Sequence, residues 1–96
     1  MFGKKKKIEL NNEELRIMMY SLTDFRNALL KENKYADAVN EVMVKLKNKM
    51  KADKYDLGIM INGLDQRRTT LLAENKNTSE IDELLLKLIK IHKTLS

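Results

Sequence analysis

One histidine, two pairs of adjacent carboxylates and many lysines are the side chains with chemistry to offer in this sequence of 96 residues. His92 has no acid placed beside it in sequence to orient its ring, so acid–base catalysis lacks a second member. Glu13-Glu14 and Asp82-Glu83 fall where helices are expected to begin, and carboxylates there complement the helix dipole without any catalytic duty. No Glu-x-x-His set recurs to hold a metal, no cysteine supplies a thiolate, and no glycine-rich loop could cradle a phosphate. The reading that follows is a protein that is not an enzyme and carries no cofactor and no metal.

The lysines remain. The formal charge is +5, and residues 1–10 hold Lys4, Lys5, Lys6 and Lys7 against a single acid, Glu9. That segment reads as a basic, flexible N-terminal tail. Lys45, Lys47, Lys49 and Lys51 form a second concentration, and with the tail they are the candidate phosphate contacts. Gln66-Arg67-Arg68-Thr69-Thr70 adds residue types that contact bases. Three points stand against nucleic acid: lysines near a helix C-terminus are what the macrodipole favours, no aromatics interleave with them for stacking, and no tight turn joins two short helices.

The elements that must position these residues follow from an internal repeat. Leu15, Ile17, Met18, Leu22, Arg26, Leu29, Leu30, Glu32, Asn33, Lys34, Glu41, Lys45 and Leu46 recur 42 positions later as Leu57, Ile59, Met60, Leu64, Arg68, Leu71, Leu72, Glu74, Asn75, Lys76, Glu83, Lys87 and Leu88. Most of these matches share one helical register, which chance does not produce. With no proline and three glycines the chain has few breakers, so long helices are expected. Asn11 with Glu14 and Asp53 with Asp56 read as capping boxes opening helices one and three. Helix two is expected over about 36–50, helix three over about 54–73, and helix four from Thr78 or Ser79. The predicted fold is all-α, an antiparallel four-helix bundle of two tandem hairpins, with repeat one at 11–52 and repeat two at 53–94 of a single domain, 11–96. One hairpin cannot cover its own apolar face, so the second copy closes the core.

Arg26 and Arg68 lie near the middle of their apolar faces, where a guanidinium needs a partner. Glu41 and Glu83 lie about as far beyond each turn as the arginines lie before it, which predicts Arg26–Glu41 and Arg68–Glu83 as structural ion pairs. Ile17, Val44, Ile59 and Leu86 point away from the main stripes, and Ile89 adds to a fourth helix that is apolar nearly all round. These five are the candidate interface, and homodimerisation through helices two and four is one expectation from them.

No apolar run reaches the length of a membrane span, and the charged start has no apolar stretch after it to form a secretory signal. Gly3 is one place too late for myristoylation. The absence of cysteine is compatible with a reducing cytoplasm.

The block Glu13-Glu14-Leu15-Arg16, Leu22, Arg26-Asn27, Leu29, Tyr35-Ala36-Asp37-Ala38-Val39-Asn40-Glu41-Val42 and Lys45-Leu46 resembles small uncharacterised helical-hairpin proteins of phages and integrative elements of low-GC Gram-positive bacteria. The second copy departs from it at Asn77 and Ser79. The resemblance implies a small cytoplasmic accessory protein that modulates another macromolecule, and carries over no activity or site residues. The functional expectation is a non-enzymatic protein–protein interaction module. The alternative is a nucleic-acid-associated protein using Lys4 to Lys7 and the helix-two lysines, and a third is a membrane-surface protein using the basic amphipathic helix four.

Overall fold

The computed structural model describes residues 4–95. In chain order they form β1 (Lys5–Lys7), α1 (Asn12–Lys31), α2 (Asp37–Lys47), β2 (Lys51–Asp53), α3 (Lys54–Ala73) and α4 (Ser79–Thr94). The class is all-α, four helices with one small two-stranded sheet. Bounds in the two halves correspond at the same spacing as the sequence repeat: α1 and α3 start at 12 and 54 and end at 31 and 73, and α2 and α4 start at 37 and 79.

Both expected capping boxes form. The Asn11 side chain accepts from the Glu14 amide at 2.7 Å, and the Asn11 amide donates back to Glu14 Oε1 at 3.0 Å. Asp53 and Asp56 repeat the exchange at 2.8 and 3.0 Å, satisfying amides that the first helical turn leaves unpaired. At the other end of these helices Asn33 and Asn75 both take φ 57°, the left-handed geometry that asparagine tolerates. The amides of Lys34 and Lys76 then each donate to a carbonyl five residues back, at 2.9 Å.

α3 is the central element, packing most extensively on α1 and α4 and also on α2. A helix covered from several sides has no single apolar face, which is why its apolar residues are spread around it. Met18, Leu22, Leu57, Met60, Leu64 and Leu88 are fully buried, joined by Val39, Val42, Ile81 and Leu84. Where α1 crosses α3, Ser21 is buried and a Cβ on Gly63 would lie 3.2 Å from Leu22 Cδ2. Small residues on both sides permit that approach. α2 and α4 share no substantial packing, so their outward faces do not merge into one surface.

Two expectations are corrected. Residues 1–10 are not a free tail in their described part: β1 pairs antiparallel with β2, Lys5 opposite Asp53, Lys6 opposite Ala52 and Lys7 opposite Lys51. The anchor is apolar, because Ile8 just beyond the strand is buried in the core and Ala52 is buried on the partner strand. Met1 to Gly3 lie outside the described residues. Helix two ends at Lys47 rather than Met50, since Lys49 takes φ 54° and the Met50 amide turns back onto the Lys45 carbonyl at 2.9 Å.

Candidate nucleic-acid interface

The sheet brings together two lysine runs that are 40 or more residues apart in sequence. Lys4, Lys5, Lys6 and Lys7 are exposed on or beside β1, and Lys47, Lys49, Lys51 and Lys54 are exposed on and around β2. Lys7 stands opposite Lys51, and Lys7, Lys47 and Lys49 rim the same groove, about 300 Å³ in volume. Ile8, Glu9, Leu10, Leu15, Leu46 and the exposed Met50 line it as well. None of these eight ammonium groups lies within ion-pair distance of a described carboxylate, so their charge is available to a ligand.

Side-chain direction follows from the pairing. Residues opposite one another across two strands share a face, and neighbours along a strand alternate. Ala52 is buried against the helices, so Lys6 shares its side, while Lys5, Lys7 and Lys51 project from the opposite, solvent face. Asp53 is directed elsewhere, into its cap with the Asp56 amide. That amide, ahead of the nearby Lys45 and Lys5 charges, holds the Asp53 carboxyl below the ordinary carboxylate value.

Lys45 is not a free phosphate contact. Its Nζ lies 2.8 Å from Asp56 Oδ2, with the aspartate side chain only 7% exposed, and this hydrogen bond raises the lysine above its ordinary pKa. The equivalent Lys87 bonds Glu14 at 3.1 Å and the Glu9 carbonyl at 2.7 Å. Each lysine therefore grips the capping-box acid of the other half. The recurrence of both lysines and both acids in the repeat was the available signal. It did not reveal that the pairing would cross between halves.

The expected arginine pairs do not form as drawn. Arg68 Nε meets Asp82 Oδ1 at 2.6 Å, while Glu83 is exposed. In the first half the position equivalent to Asp82 is Asn40, so Arg26 has no carboxylate to meet. Its Nη2 reaches Asn27 at 3.4 Å and its buried Nε has no hydrogen-bond partner among the described residues, with Glu41 exposed. The neighbouring polar run is equally occupied: Arg67 lies 4.7 Å above the Tyr20 ring and 3.6 Å from Asp24. Thr69 and Thr70 bond carbonyls of their own helix. None of these is poised to read a base.

Of the candidate interface residues, Val44 is 52% and Leu86 59% exposed, at equivalent places on α2 and α4. Ile17 and Ile59 instead pack against the core as partly buried residues, and Ile89 is half-buried. His92 lines a shallow depression with Lys54, Tyr55, Gly58, Ile59 and Asn62, none of them an acid. No described helix is long and apolar enough to cross a membrane. No protein-family model, curated protein or solved structure matches this chain.

Proposed function

We propose that this protein is a non-enzymatic binding module that engages nucleic-acid phosphates through the lysine-bearing end where β1 and β2 pair. The supporting observation is the convergence, from two distant segments around one ribbon, of eight lysines with no ion-pair partner among the described residues. Like charges gathered on a surface repel one another, and an anionic polymer relieves that repulsion while releasing its own counterions. A small cytoplasmic accessory protein of a mobile element, as the sequence resemblance implies, fits this reading.

Fluorescence anisotropy with labelled DNA tests it. Neutralising about four phosphates predicts affinity falling on the order of 100-fold between 50 and 200 mM salt. The triple variant Lys5→Gln, Lys7→Gln, Lys51→Gln should lose at least tenfold at low salt. Absence of binding at 50 mM salt, or binding indifferent to salt, would refute it.

A second reading keeps the module for a protein partner, and the exposed, equivalent Val44 and Leu86 favour it. Such an apolar contact would persist at high salt and weaken in Val44→Ser or Leu86→Ser. Because α2 and α4 lie apart, it offers two separate patches rather than one, and homodimerisation would use one of them.

A further inference from the structure

We infer that the β1–β2 ribbon enters the major groove of double-stranded DNA with Lys5, Lys7 and Lys51 leading. This rests on the phosphate-binding reading above and specifies the form of its ligand.

Shape is the first argument. The major groove of B-form DNA is about 12 Å wide and accommodates either a helix or a two-stranded ribbon, and paired strands lie only about 4.8 Å apart. Among the described residues β1 packs mainly on β2, which itself packs on α3 and α2, and Lys5, Lys7 and Lys51 are exposed. The ribbon is held from behind, through Ala52 and Ile8, by the helical core. It is an anchored ribbon rather than a loose tail.

Charge distribution is the second. The free lysines occupy both strands and both flanks of the ribbon, with Lys4 and Lys54 at one end and Lys47 and Lys49 at the other. A duplex presents phosphates along both walls of its groove, matching that spread. An acidic protein strand added to the β1 edge would leave Lys51 on the far strand without a partner. A second copy of this chain at that edge would set lysine against lysine.

Backbone conformation supplies the third. Asn33, Lys49 and Asn75 share the left-handed conformation after their helices, at φ 57°, 54° and 57°. Two are the expected asparagine, and the third, at the ribbon, is a lysine, a residue type that occupies this region at a cost. Asparagine in its place would relax the backbone and remove one charge beside the ribbon.

The experiment compares a DNA duplex of about 20 base pairs, the RNA duplex of the same sequence, the single strand, and polyglutamate at matched charge and salt. The A-form major groove is too deep and narrow for protein side chains, so the DNA duplex should bind at least tenfold more tightly than the other three. Glucosylated 5-hydroxymethylcytosine, which fills the major groove without changing its charge, should weaken duplex binding. Lys49→Asn should raise the melting temperature while lowering duplex affinity by about threefold or more, which separates ligand contact from folding. Equal affinity for all nucleic acids would overturn groove insertion and leave phosphate binding standing. Polyglutamate binding as tightly as the DNA duplex would overturn it in favour of an acidic protein partner. Binding to none of them would remove both readings.

Discussion

Arg26 and Arg68 occupy equivalent places in the two halves, yet Arg68 holds Asp82 at 2.6 Å while Arg26 leaves a buried nitrogen with no hydrogen-bond partner among the described residues. A second equivalent pair differs in degree. Lys45–Asp56 is 26% and 7% exposed, and Lys87–Glu14 is 38% and 25% exposed. The same contrast runs through the apolar residues, since Leu57 and Leu88 are fully buried while Leu15 and Leu46 are only partly so. For the apolar residues its physical origin is helix length. α4 continues to Thr94 with Leu95 buried in the core, whereas α2 stops at Lys47 and leaves open the groove that Leu15 and Leu46 line. Residues matched in sequence thus differ in energetics because their cover differs.

The largest expected separation is between the two capping-box acids. Asp56→Ala removes the reciprocal half of a capping box and strands a partly buried ammonium, a loss of about 2–3 kcal/mol. Glu14→Ala removes the more exposed counterpart and should cost about 1 kcal/mol. Urea denaturation of both variants checks the ratio, and equal losses would show that the burial difference carries no energetic weight.

Next come the two glycines of α3. A Cβ at Gly58 meets nothing within 4 Å, so Gly58→Ala should stabilise by about 1 kcal/mol through helix propensity alone. At Gly63 the added methyl crowds Leu22 at the α1–α3 crossing, so Gly63→Ala should gain less or lose stability. Thermal melts distinguish them, and identical gains would mean that the crossing has slack.

The smallest effects concern the arginines and acid pH. Arg68, then Thr78, holds the Asp82 carboxyl below its ordinary value, and the Asn11 amide, then Lys87, does the same for Glu14. A carboxylate whose pKa is lower in the folded state contributes stability above its unfolded pKa and loses it as pH falls through the folded value. The melting temperature should therefore be level from pH 7 to about 5 and decline below about 4. Asp82→Asn, which makes the second half resemble the first, should reduce that decline. Asn40→Asp offers Arg26 the missing carboxylate and should raise stability slightly at neutral pH while steepening the acid loss. An unchanged acid decline in Asp82→Asn would mean that the Arg68–Asp82 contact contributes nothing.

Local features were legible because they depend on residues three or four apart. The Asn11/Glu14 and Asp53/Asp56 boxes and the shared helical register of Met18, Leu22, Met60 and Leu64 could all be read that way. The Arg68 partner was missed by one residue: neighbours on a helix point about 100° apart, so Asp82 faces α3 where Glu83 faces solvent. Counting distance from the turn cannot resolve that rotation.

The candidate site was legible only in its residue types. Four consecutive lysines look the same whether they hang free or form a strand, because strand identity here comes from a partner more than 40 residues away. Sequence alone therefore determined the helices, their caps and the composition of the core, all properties of short-range periodicity. Tertiary structure alone decided that Lys5–Lys7 lies against Lys51–Asp53, that Lys45 and Lys87 reach across to the opposite half, and that α2 and α4 stay apart. Each of these depends on how helices already formed are brought together, and the relative placement of packed elements has no periodicity of its own to leave in the chain.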